Sequence, residues 1–144
     1  MKEYQSLSHT RWDCKYHIVF IPKRRKKKVF GVLWRHLGEM FHELALHKES
    51  KIVEGHMMGD HVHMCLSIPP KYAVSNVVGY LKGKSAIQIA RKFGGRQKNF
   101  TGEHFWVRGY FVSTVGLDEN IVRAYIRNQE EEDERYDQMK LVMR

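Results

Sequence analysis

Two histidines one residue apart, His61 and His63, and a tyrosine with a glutamine four residues beyond it, Tyr125 and Gln129, are the groups in this 144-residue chain whose types and spacing could do chemistry. The stretch Asp60-His61-Val62-His63-Met64-Cys65-Leu66-Ser67-Ile68 alternates between apolar and polar residues. A strand sends successive side chains to opposite faces. Val62, Met64, Leu66 and Ile68 then share a core face, and His61, His63, Cys65 and Ser67 share the other. Two imidazoles side by side on one strand suit two neighbouring positions on a divalent ion. They also suit two solvated histidines on a polar sheet face, and the triplet alone does not choose between these.

Val122, Tyr125, Ile126 and Gln129 fall on one stripe of a helix by their three- and four-residue spacing. Taken singly, Tyr125 reads as a packing residue with its hydroxyl at the rim, and Gln129 as a solvated polar residue. Beside a histidine pair they acquire a second reading. A phenol oxygen can attack a DNA phosphate and leave a covalent phosphotyrosine, which stores the energy of the broken bond and divides a difficult step in two. With an ordinary pKa of about 10, the phenol is scarcely ionised at neutral pH. A divalent ion that polarises the phosphate and stabilises the leaving 3′ oxygen would supply the help it needs. Gln129 could add a neutral oxygen to that ion. Mg²⁺ and Mn²⁺ both accept mixed oxygen and imidazole ligands, and imidazole favours Mn²⁺.

The surrounding sequence supplies elements to hold these groups. Strands are expected at Lys15–Ile21, Lys51–Met58, His61–Ile68 and Phe105–Val115, with Gly59-Asp60 as a hairpin turn. Helices are expected over about Val32–His47, Val74–Phe93 and Glu119–Arg135, with Gly94-Gly95 ending the second and a polar loop over 94–104. The order β-α-β-β-α-β-α predicts an α+β fold: a ferredoxin-like or RRM-like antiparallel sheet with helices on one face, plus a C-terminal helix carrying the tyrosine. The other sheet face is expected to be free for a site. Length predicts a single domain over residues 1–144.

A net charge of +9 favours a polyanionic partner, nucleic acid above all. Six consecutive cations, Lys23 to Lys28, form either a solvated loop or a phosphate-contacting one. The acidic run Glu130 to Glu134 reads as a solvated helix face, or as the source of one carboxylate near a metal. The polar N-terminal residues and the lack of any run of roughly 18 apolar residues predict neither a signal peptide nor a membrane span. Two widely separated cysteines, Cys14 and Cys65, predict a reduced, cytoplasmic protein.

The combination of Asp60-His61-Val62-His63 with Tyr125-Ile126-Arg127-Asn128-Gln129 resembles the single-tyrosine HUH transposases of small insertion sequences that move as single-stranded DNA. Thr10-Arg11-Trp12, Lys15 to Phe20, Gly79 to Ser85 and Phe105 to Tyr110 extend the resemblance over about Ser8 to Asp133. It implies metal-dependent cleavage and rejoining of single strands at hairpin-marked element ends, through a 5′-phosphotyrosine. Carried over, Tyr125 is the nucleophile, His61 and His63 bind Mg²⁺ or Mn²⁺, and Gln129 is the third ligand. It also implies a homodimer in which the tyrosine helix of one subunit completes the histidine site of the other. DNA contacts are expected from Arg11, Lys82, Lys84 and Arg108, with Trp12, Trp106 or Tyr110 stacking unpaired bases. Two other readings stand beside it: a domesticated enzyme nicking repeat hairpins by the same chemistry, and a non-catalytic RRM-like nucleic-acid-binding module.

Overall fold

A computed structural model describes residues 5–7, 9–93 and 105–142. The expected loop 94–104 and the glycine pair Gly94-Gly95 lie outside the described residues. Six strands and three helices run in the order β1 (Gln5–Leu7), β2 (Thr10–Trp12), β3 (Lys15–Phe20), α1 (Lys27–His47), β4 (Lys51–Met57), β5 (Val62–Ser67), α2 (Val74–Phe93), β6 (Phe111–Ser113) and α3 (Glu119–Val142). β3 to β6 form one antiparallel sheet in the order β4-β5-β3-β6. That is the strand order of a split βαβ unit, with the β4–β5 hairpin on one side and the last strand on the other.

Alternation decides which face is core. Val62, Met64, Leu66 and Ile68 turn under α1 and α2 with Ile18 and Phe20 of β3, and all six are essentially without solvent contact. α1 contributes Phe30, Leu33, Leu37, Met40, Phe41, Leu44 and Ala45, a recurrence at three and four residues that makes one continuous apolar stripe. Trp106 stands edge-on to Phe20 with ring centroids 4.8 Å apart, and its Nε1–H donates to Ser85 Oγ at 3.0 Å. Aromatic edges meeting faces in this way add specific energy to burial.

The structure departs from the sequence reading in five places, one being α3, which runs on to Val142 past the expected end at Arg135. β1 and β2, which the alternation did not reveal, pair as a small separate hairpin. α1 begins at Lys27, earlier than expected, because a 3₁₀ turn over Arg24–Lys26 leads directly into it. The single expected strand Phe105–Val115 is broken. Its first part makes only a bridge from Trp106 to Pro22, Gly109 then takes a left-handed φ of 92°, and β6 begins at Phe111. Lastly, the second sheet face is not left bare. Val122 and Ile126 of α3 bury themselves against Val19, Ile21 and Val107, because Val19 and Ile21 put apolar side chains on that face.

Candidate active site

His61 closes the β4–β5 turn and is 8% exposed, while His63 follows two residues on in β5 and is partly buried. Both belong to the face opposite the main core, as the alternation predicted. His61 Nδ1–H donates to Asp60 Oδ1 at 2.7 Å, which fixes the ring and leaves Nε2 as its available nitrogen. A carboxylate on the far nitrogen of a ligating histidine sets tautomer and orientation in just this manner.

His63 sits among imidazoles. His56 of β4 is its direct cross-strand partner, with ring centroids 5.7 Å apart. His17 of β3 is its diagonal neighbour, with His17 Nδ1 3.4 Å from His63 Nε2. Burial first, and then the neighbouring imidazoles, hold the His63 pKa below its ordinary value. The neutral ring is the form that binds a metal. His56 Nε2–H in turn donates to Glu54 Oε1 at 2.8 Å, and that bond holds the Glu54 carboxyl below its usual range. The sequence pattern did not single out His17. Its signal was only its place on a strand whose pairing partner was unknown.

His56, His61 and His63 open into a cleft of about 240 Å³ whose far wall is α3, through Glu119, Val122, Arg123 and Ile126. Tyr125 and Gln129 are not on that wall. Positions 125 and 129 lie about a quarter turn round the helix from the stripe 119-122-123-126. The Tyr125 ring packs with its centroid 5.8 Å from that of Phe111, against the small apolar cluster of Val19, Ile21, Val107, Val122 and Ile126. Burial there pushes its pKa up to about 12. Gln129 lines a second, larger cleft of about 670 Å³ with Lys23, Lys82, Arg108, Glu132 and Tyr136. The structure therefore sets His61 and His63 on one cleft and Gln129 on the other, with Tyr125 one helical turn from Gln129 on α3 and on the wall of neither. Among the described residues, no three His, Cys, Asp or Glu side chains close round a single metal position. The donor chemistry nonetheless fits a divalent ion as two imidazoles in need of further ligands.

The expected DNA contacts separate by exposure. Arg11, Lys84 and Arg108 are exposed, and Arg108 borders the larger cleft. Lys82 is largely buried: its ammonium donates to Val107 O at 2.8 Å and Gly109 O at 2.6 Å, and burial lowers its pKa to about 8. Its protons are thus engaged in holding the 105–110 segment. Trp106 is a core residue, Tyr110 packs at the edge of the core, and Trp12 is partly buried with no partner for Nε1 among the described residues. Cys14 and Cys65 are unpaired thiols. No helix among the described residues is long and apolar enough to cross a membrane.

Comparison with known proteins finds relatives along nearly the whole chain. Residues 10–129 match the family model described as transposase IS200 like. The chain is 43% identical over 141 residues to the transposase for insertion sequence element IS200 of Salmonella typhimurium, covering 98% of this chain and 93% of that one. It is 24% identical over 123 residues to the ISDra2 transposase TnpA of Deinococcus radiodurans, covering 85% and 88%. A crystal structure of a transposase from Deinococcus radiodurans R1 superposes with a TM-score of 0.73 at 25% identity, over 90% of this chain and 98% of that chain. A REP-associated tyrosine transposase bound to a REP hairpin shares the fold, with a TM-score of 0.53 at 12% identity, over 88% and 68%. A sheet that presents a paired-histidine face to a tyrosine-bearing helix, and a sequence that matches along nearly its whole length, make this chain a member of the IS200-like transposase family.

Proposed function

We propose that this transposase cleaves and rejoins single-stranded DNA at hairpin-marked ends, with Tyr125 as nucleophile and with His61, His63 and Gln129 as ligands of Mg²⁺ or Mn²⁺. The observation that carries the reading is the pair of imidazoles opening together into the cleft under α3, with Asp60 fixing one of them. A structural neighbour bound to a hairpin supports hairpin DNA as the substrate form.

Tyr125 would attack the phosphorus at the cleavage point. The Tyr Oη–P bond forms, the P–O3′ bond breaks, the phenol proton passes to solvent, and the departing 3′ oxygen takes up a proton. In the second step a free 3′-OH attacks the same phosphorus and returns the tyrosine, so the number of phosphodiester bonds is conserved without ATP. A divalent ion held by the imidazoles and a glutamine oxygen would supply charge stabilisation for the phosphate and the leaving oxygen. Tyr125 in its own chain is poorly placed for this. Its pKa of about 12 leaves roughly a hundredfold less phenolate than an ordinary tyrosine would have. It also sits about a quarter turn round α3 from the residues that line the histidine cleft. That placement favours assembly of the site from two chains, with α3 of one copy presenting Tyr125 and Gln129 to His61 and His63 of the other.

The test is incubation of end-labelled single-stranded hairpin DNA with the protein and Mn²⁺ or Mg²⁺, followed by a denaturing gel. A labelled protein–DNA adduct is expected, lost in Tyr125→Phe and with chelator. Cutting by Tyr125→Phe without an adduct would point to a simple hydrolase. Retardation without cutting would point to a binding module.

A further inference from the structure

The six-cation run, a solvated or phosphate-contacting loop by sequence, and the acidic run, a solvated helix face by sequence, meet in the structure. α1 starts at Lys27 with no side-chain cap and no acidic residue in its first turn. The first N–H groups of a helix are unpaired and carry partial positive charge, so cations are unfavourable there. α3 brings the missing negative charge. Asp133, 5% exposed, accepts from the Arg24 backbone N–H at 2.9 Å. Glu134 Oε1 lies 2.8 Å from Arg24 Nη1, and Glu130 Oε1 lies 2.9 Å from Lys27 Nζ.

Only Asp133 is buried. The Arg24 and Glu134 side chains are 57% and 49% exposed, and those of Lys27 and Glu130 are 36% and 31% exposed. Ion pairs this open are weak and screened by salt. A phosphate backbone is a stronger competitor for the same cations. Each phosphate offers arginine a charge-assisted bond, and each neutralised phosphate releases counterions. Arg25 and Lys28 are exposed in the same run, so the strip extends beyond the two paired cations.

We propose that residues 23–28 form a binding strip for the DNA backbone which the α3 carboxylates occupy in the free chain, so that DNA and the C-terminal half of α3 compete for Arg24 and Lys27. The proposal rests on DNA being the substrate, and adds to that reading the strip and its internal competitor. Competition is reciprocal: whatever DNA gains on the strip, the second half of the tyrosine-bearing helix loses.

The experiment measures binding of a labelled oligothymidylate by fluorescence anisotropy, without divalent ion, so that it stands or falls apart from cleavage. Glu130→Gln with Glu134→Gln is compared with Glu39→Gln with Glu43→Gln, an equal charge change at exposed positions of α1. The first pair is expected to tighten binding about three- to tenfold more than the second. That gain should vanish in an Arg24→Gln, Lys27→Gln background, where the salt slope should also fall by roughly one to two. Equal gains from both pairs, or a gain that survives loss of the two cations, would overturn the proposal. Hydrogen exchange on the unaltered chain gives a second reading. Oligonucleotide should speed exchange over residues 130–139, and unchanged or slower exchange there would count against the competition.

Discussion

His61 is held from behind by Asp60 and from the side by its place at the end of a hairpin turn. Losing the carboxylate would leave the ring present but free to choose its tautomer. Asp60→Asn is therefore expected to weaken Mn²⁺ binding by about 10–100-fold in calorimetric titration while the fold is retained. Affinity equal to that of the unaltered chain would argue that His61 is not a ligand. The face occupied by His61 and His63 was readable because a strand has a period of two and Val62, Met64 and Leu66 could belong only to a core. That Glu54 and His56 share a strand face was readable from the same period, but their approach to His63, and that of His17, was not. His17 and His56 arrive from strands whose register is set by pairing, 46 and 7 residues away in sequence.

At the scale of elements, Lys82 joins α2 to the segment that precedes β6. It was expected to contact DNA because it is a cation on a helix, yet its acceptors are carbonyls 25 and 27 residues further on. Both acceptors lie in the break between the Trp106 bridge and β6, where Gly109 makes the bend. Burial lowers the Lys82 pKa to about 8, below its unfolded value of 10.5. Over that window the unfolded chain holds the proton more tightly, so this group's contribution to stability rises as pH rises from about 8 and is lost as pH falls through 8. Urea midpoints measured between about pH 8 and 10 should climb in the unaltered chain and climb less in Lys82→Met. Identical slopes would mean that the ammonium is solvated instead of engaged.

For the molecule as a whole, the separation of Tyr125 and Gln129 from the histidine cleft is the main fact. If the site forms between chains, Tyr125→Phe and a His61→Ala, His63→Ala double variant are each inactive alone but complement one another. In a mixed dimer one site then carries both lesions and the other carries none. Mixing equal amounts, with subunit exchange, should restore roughly a quarter of the adduct given by the unaltered protein. A mixture as inactive as its components would place the nucleophile in its own chain's site.

Local periodicity determined a good deal here: which strand face carries the imidazoles, that Tyr125 and Gln129 share a helical stripe, and the order of elements that yields the β4-β5-β3-β6 sheet. Each depends on the repeat of a single element, and that repeat is written in consecutive residues. Tertiary structure decided where α3 lies, what the charged runs at 23–28 and 130–134 do to one another, and that Lys82 serves the fold. Those outcomes depend on distances between segments as many as 110 residues apart. Long-range packing and charge pairing set such distances, and no local pattern encodes them.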